Sequence, residues 1–221
     1  MCCPRTSRHS GVLFASCSGC PLTAGSWVAA RAGAACALAA AQAVAAGERS
    51  AFAPTRPPGY HAGPDCFGGY CLLNNAAVAA QALRDTDKQR VAVIDIDCHH
   101  RNGTQSIFYE RADLLTVSIR GDPHTEYPCF IGHANGLCEG AGMGFNLNLP
   151  LPRGSGFVAW RGARDNALQV WPTTLAPRRQ WCLWIWTPSR ANPSRLHIAA
   201  RRRHRHRCRS RQRRPAHSVH L

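Results

Sequence analysis

An α/β domain with a largely parallel sheet is the fold class this sequence predicts, on three observations. Short β-branched, apolar runs alternate with alanine-rich or amphipathic stretches of helical length. Gly and Pro punctuate the boundaries between them. Finally, Asp95, Asp97 and His99 close one of the apolar runs, and open parallel sheets collect their ligands outside the carboxyl ends of strands. With 221 residues, the chain is long enough for one sizeable domain.

The elements follow in order. Residues 26–46 predict a helix, because Ser26 suits an N-cap, the run is rich in Ala and Gly47 suits a stop. A short extended segment at 51–53 leads into Arg56-Pro-Pro-Gly-Tyr-His-Ala-Gly63, which its composition makes a loop. A helix over 74–84, a strand over 90–96 and a short helix over 104–109 come next, then a strand over 114–119. A Gly-rich loop at 136–144 feeds a last strand at 145–149. After about residue 165, Trp181, Trp184 and Trp186 crowd together, prolines and an Arg-rich run follow, and neither period can be traced.

Charge divides the same way. Residues 1–177 carry 14 Lys+Arg against 12 Asp+Glu, whereas residues 178–221 carry 13 Arg and no acid. Most of the net charge of +15 therefore belongs to one tail, and the nearly neutral body does not read as a nucleic-acid binder. The 12 cysteines form no paired framework; Cys17-x-x-Cys20 stands without a second such pair. Reduced thiols in a cytoplasmic protein are the expectation. No membrane span is expected, since the run from Trp27 to Ala46 is mostly alanine and contains Arg31. The opening residues have too short an apolar patch for a secretory leader.

The chemistry concentrates in Val91-Ala-Val-Ile-Asp-Ile-Asp-Cys-His99. Strand side chains alternate between faces, so Asp95, Asp97 and His99 are expected to point one way. Two carboxylates and an imidazole suit a borderline cation such as zinc. An acidic strand end capped by its own turn is the alternative.

Three segments resemble the zinc-dependent superfamily of histone deacetylases and acetylpolyamine amidohydrolases: Arg56 to Ala62, Gly68-Gly-Tyr-Cys-Leu-Leu-Asn-Asn75, and Asp95-Ile-Asp-Cys-His-His-Arg-Asn-Gly-Thr-Gln105. Val117 to Pro128 and Gly140 to Pro152 resemble the acetylpolyamine branch in particular. The resemblance runs from about Pro21 to Asp165, giving a poorly matching segment at 1–20, a partial deacetylase domain at 21–165 and an aberrant, disordered tail at 166–221. It implies a parallel-sheet deacetylase (arginase-like) fold, incomplete at the C-terminal side, and hydrolysis of N-acetyl amides to acetate and free amine. It also implies one Zn2+ per chain, held by Asp97 and His99, and a structural K+ or Na+ held by Asp95 and Ser118. His61 matches the general base, Asn102 the residue that orients it, and Gly69 and Tyr70 the channel for the substrate's aliphatic arm. Tyr60 falls where the family has the first of two adjacent histidines, Arg101 where it has Gly, and Arg120 where it has His. The implied substrates are small acetylated amines or acetyl-lysine.

The third zinc ligand and the oxyanion tyrosine of the family are not readable in the tail. Tryptophan has a single codon, so Trp181 to Arg190 can be partly back-translated. Read from the third base of the Trp181 codon, it permits Val-Ser-Leu-Asp-Leu-Asp-Thr-Phe-Glu, which resembles the missing segment. A frame shift between about residues 165 and 180 is therefore expected. Two other functions compete: non-specific nucleic-acid binding through Arg201 to Arg214, and a non-catalytic remnant of the fold.

Overall fold

The structure is a computed structural model that describes residues 14–15, 20–87, 91–174, 180–186 and 194–201. Its elements are β1 (Phe14–Ala15), α1 (Ser26–Ala45), β2 (Ser50–Thr55), β3 (Cys66–Phe67), α2 (Asn75–Asp87) and β4 (Val91–Asp95). They continue with α3 (Asn102–Ile107), β5 (Leu114–Gly121), β6 (Asn146–Leu151), α4 (Phe157–Thr174), β7 (Gln180–Trp186) and β8 (Ser194–Arg201). Six strands make one sheet in the order β2-β8-β7-β4-β5-β6, and β1 pairs with β3 apart from it.

Both faces of the sheet are covered, which is why β4 and β5 read as unbroken apolar runs. Val91 and Val93 face a core built with Ala37, Ala41 and Val44 of α1 and Ala76, Ala80 and Leu83 of α2. Ala92 and Ile94 face the other way, toward Leu115, Val117 and Ile119, with Ala167 of α4. Alanine and Gly33 let α1 approach closely: a Cβ on Gly33 would stand 3.3 Å from the Asn75 amide. By length and composition alone α1 could cross a membrane, contrary to the sequence expectation. Its buried stripe, Ala30, Gly33, Ala37, Ala40, Ala41 and Val44, is instead spent on the domain core.

Three sequence expectations change. Ser26 is not the N-cap of α1; Gly25 holds that position without a side-chain cap, and Ser26 Oγ accepts the Thr23 N–H at 2.8 Å. Gly47 does stop the helix, at φ +123, with its N–H on Val44 O and the Glu48 N–H on Ala43 O. The parallel part of the sheet is β7-β4-β5-β6, while β2-β8-β7 is antiparallel. Only seven residues, 187–193, join β7 to β8, too few for the crossover that a parallel neighbour requires.

The third change concerns the chain after residue 165. Helix α4 passes through that position to Thr174, and the Trp-rich stretch is a strand in the middle of the sheet. Strand β7 runs parallel to β4, with Trp181 opposite Val91 and Ile185 opposite Asp95. Aromatic and β-branched residues favour a strand, and a central strand shows no alternation to betray it. The Arg-rich run beyond Arg201 lies outside the described residues.

Candidate active site

Four segments converge at the carboxyl end of β4, and asparagines tie them together. Asn74 caps α2 by accepting the Ala77 N–H at 3.0 Å, and its amide donates to Ala62 O at 2.8 Å and Thr104 Oγ1 at 3.1 Å. The Asn75 amide donates to Pro57 O at 2.9 Å and Pro58 O at 3.1 Å. Gly59, at φ +101, lies so close to α2 that a Cβ would be 2.6 Å from Asn75 N. The Thr104 N–H donates to Tyr60 O, and a Cβ on Gly103 would be 2.3 Å from Ala62 O. The loop carrying His61 is therefore clamped between α2 and α3 by backbone contacts that admit no larger side chains.

His61 is buried, and its Nδ1 lies 2.7 Å from Asn102 Oδ1. A carboxamide oxygen only accepts, so Nδ1 carries the hydrogen and Nε2 presents a lone pair. Burial pulls the His61 pKa down to about 4, against the opposing pull of the Asn102 bond. The ring is neutral at pH 7. Gly69, at φ +53, covers one side of it, since a Cβ there would be 2.3 Å from His61 Cδ2. Cys71 holds that glycine loop in place: its Sγ accepts the Gly59 N–H at 3.0 Å and donates to Gly69 O at 3.2 Å. Burial drives the Cys71 thiol up to about 12, so it stays protonated.

Strand β4 ends at Asp95, and the two residues expected to share its face lie on the bend that follows. Asp95 Oδ1 accepts the Asp97 N–H at 3.0 Å, and Asp97 Oδ1 accepts the His99 N–H at 2.8 Å. Each carboxylate thus builds the next turn, and the single strand face expected from alternation breaks after Asp95. Asp97 is 3 % exposed, whereas the His99 side chain is 46 % exposed with Nδ1 3.3 Å from Asp97 Oδ1. The Asp97 bond raises the His99 pKa. The His61 and His99 ring centres are 6.5 Å apart, and Tyr127 sits edge-on to both, at 5.0 and 6.0 Å. Sequence reasoning passed over Tyr127, although it stands in a quoted motif next to Pro128.

The remaining expected residues divide between the site and its surroundings. Tyr60 is buried in the core, its ring tilted against His61 with centres 4.3 Å apart. Tyr70 is exposed at the rim, at φ +62. Asp95 and Ser118 meet beneath the site, the Ser118 hydroxyl donating to Asp95 Oδ2 at 3.0 Å. Burial raises the Asp95 pKa to about 7. Arg101 and Arg120, the two basic departures, are buried near that carboxylate.

Asp97 and His99 have the donor chemistry of a zinc site. Among the described residues, however, no group of three His, Cys, Asp or Glu gathers to hold a metal ion. The seven residues after β7, Thr187 to Pro193, also contain none of these types. The zinc donor set fits in kind and falls short in number. The monovalent-ion cradle fits poorly, since both Asp95 oxygens already accept hydrogen bonds and two guanidinium groups share its surroundings.

Known proteins resemble this chain over about two thirds of its length. Acetylpolyamine amidohydrolase 1 of Pseudomonas aeruginosa is 55% identical over 147 residues, covering 66% of this chain and 42% of that protein. The acetylpolyamine amidohydrolase of Mycoplana ramosa is 47% identical over 148 residues, covering 67% of this chain and 43% of that protein. The crystal structure of acetylpolyamine aminohydrolase from Burkholderia pseudomallei superimposes with a TM-score of 0.71 at 47% identity, covering 73% of this chain and 47% of that one. A histone deacetylase homologue from Aquifex aeolicus gives 0.69 at 27% identity, over 75% of this chain and 44% of that one. The chain thus spans less than half the length of these relatives. The histone deacetylase domain matches residues 2–177, taking in the opening segment and stopping three residues before β7. On that match, the chain belongs to the histone deacetylase domain family, and it superimposes on a solved structure of the deacetylase fold.

Proposed function

We propose that this site is built to hydrolyse N-acetyl amides of small amines, with acetyl-lysine as a second substrate of the same chemistry. The observation that carries the reading is the His61–Asn102 pair: a buried neutral imidazole whose Nε2 lone pair is left available. In the forward direction His61 Nε2 takes a proton from the attacking water, and it later returns that proton to the leaving amine. Asn102 keeps the ring in the tautomer this needs, and Gly69, packed against the ring, would with Tyr70 line the channel for the substrate's aliphatic arm. Tyr60 flanks the ring from the core. Asp97 and His99 would hold zinc, which supplies a bound water of pKa near 7 instead of about 15.7 and polarises the acetyl carbonyl. Asp95 and Ser118 would support the ligand segment from below, with K+ or Na+ or without it. The acetylpolyamine branch is favoured by the names of the similar proteins and by the segment from Gly121 to Pro128. The test is hydrolysis of acetylputrescine and of an acetyl-lysine peptide, with zinc measured on the same sample. No turnover at one zinc per chain would reject the reading.

A second reading is favoured by one observation. Strand β7 lies directly beside the ligand strand, yet neither it nor the next seven residues supplies a carboxylate or imidazole. The chain as written is then impaired, its Trp-rich strand standing in for a ligand segment encoded in a shifted frame. The match that stops at residue 177 supports this. Sequencing the coding DNA decides it, because the positions that the protein sequence leaves open must read Ser, Leu, Leu, Thr, Phe and Glu in the shifted frame. Non-specific nucleic-acid binding through the Arg-rich run is a separate property. Because β8 ends at Arg201 inside the sheet, the test removes residues 202–221 only. Loss of salt-dependent RNA retention on a filter would assign it to the tail.

A further inference from the structure

Nine buried side-chain nitrogen and oxygen atoms among the described residues have no hydrogen-bond partner, and six of them belong to three residues. They are both ring nitrogens of His100, Nε and NH2 of Arg101, and Nε and NH2 of Arg120. Arg101 and His100 are fully buried and Arg120 is 3 % exposed. Among the described residues, the hydrogen bonds of these two guanidinium groups are long ones, Arg101 NH1 to Val93 O at 3.4 Å and Arg120 NH1 to Gly121 O at 3.5 Å. His100 and Arg120 converge on one spot, and the Arg101 guanidinium is near enough to Arg120 for the two charges to repel. A Cβ on Gly132 would be 2.4 Å from His100 Nε2 and 2.7 Å from Arg120 NH2, so those two nitrogens face one another across a residue that lacks a side chain. Gln105, whose Oε1 also accepts the Asn148 amide, is among the described residues the one side chain beside His100 that acts on it as a hydrogen-bond partner would, which leaves the guanidinium donors as the main unmet demand.

Charge points the same way as hydrogen bonding. Two guanidinium groups share this region with one buried carboxylate, Asp95, whose oxygens already accept from Asp97 N–H and Ser118 O–H; Asp122, which also acts on Arg120, lies at the surface and is bonded to His124. Buried donors without partners are costly, and a buried charge without a counter-charge costs more. One monovalent anion satisfies both demands, whereas water satisfies only the first.

We propose that His100, Arg101 and Arg120 form a buried site for one small monoanion, a halide of the medium or an acetate ion. It differs from the hydrolytic site above it and does not depend on turnover. Arg101 and Arg120 occupy positions where the resembled family carries Gly and His, so the site belongs to this chain. The donors are guanidinium N–H groups that keep their charge across the ordinary pH range, with a neutral His100 adding one N–H.

The test is the thermal stability of the full chain at constant ionic strength, titrated with chloride, with acetate, or with the bulkier anion gluconate. A ligand that binds only the folded chain adds one tenfold step to the folding constant for each tenfold rise above its Kd. Expected is a rise in Tm with chloride or acetate and none with gluconate. A response to both identifies a general monoanion site, and a response to acetate alone identifies one shaped for a carboxylate. R120H and R101G should lose the response. Crystals of the unmutated chain grown in bromide should show an anomalous peak within hydrogen-bonding distance of Arg101 and Arg120, which keeps the test decisive if either variant fails to fold. No anion response together with no such peak overturns the proposal, as does an undiminished response in a folded R120H.

Discussion

Acid should unfold this chain partly through His61, and the size of that contribution follows from its burial. The folded ring has a pKa of about 4, against 6.5 for an exposed imidazole. Above pH 6.5 neither folded nor unfolded chain binds the proton, so His61 adds no pH dependence there. Below 6.5 the unfolded chain binds it first, and stability falls by about 1.4 kcal/mol per pH unit until the folded ring titrates. The loss levels off below pH 4 at about 3 kcal/mol. Other groups titrate in the same window, including His100, whose burial also lowers its pKa. His61→Gln isolates the contribution: urea unfolding of both chains, with a chelator present, is measured from pH 7.5 to pH 4. The variant's stability relative to the parent should improve by about 3 kcal/mol across that range. A difference that stays flat, or a variant that becomes the more acid-sensitive of the two, would show that His61 is not buried against Asn102 and Gly69 as described.

Four further outcomes are expected. Gly103→Ala places a Cβ 2.3 Å from Ala62 O and 2.5 Å from His61 C, and should destabilise the fold by about 2–4 kcal/mol in urea; a neutral substitution would refute the close approach. Asn102→Ala removes the contact that raises the His61 pKa, so an NMR titration of the ring should find it lower still, and an upward move would contradict the assignment. Zinc should dissociate during dialysis against a mild chelator, because Asp97 and His99 are two ligands where catalytic sites use three; one tightly held zinc per chain would mean that a further ligand exists. Asp113→Asn should cost about 1 kcal/mol, a modest amount because Asp113 and its partners Arg84 and Arg111 are partly exposed. Those two arginines hold the Asp113 carboxyl down to about 2, so its stabilisation is present above the unfolded value of 3.8 and is lost as pH falls toward 2.

The elements that carry a local signal were legible in the sequence. Helix α1 and its Gly47 stop, helix α2, and strands β4, β5 and β6 fall within a few residues of their expected bounds. The association of His61 with Asn102 was legible only through resemblance, since 41 positions separate them. Alternation failed after Asp95 because the side chains of Asp95 and Asp97 hydrogen-bond the backbone two residues on and bend it. Strand β7 was missed for a different reason. Its place depends on the free edge of β4, and no periodic pattern within seven residues records a partner some 90 positions earlier. Tyr127 was missed because its role is to fill the space between two rings, a property of the assembled site.

The ladder joining β4 to β7 is made by peptide groups, and peptide groups do not register which side chains they carry. Any stretch able to lie extended can close that gap, so folding and hydrolytic competence are decoupled here. Circular dichroism or cooperative melting would certify an intact molecule whether or not it can bind its metal. Screens that rank such chains by solubility or heat resistance would retain the inert ones alongside the working ones, and turnover measured together with a metal count tells them apart.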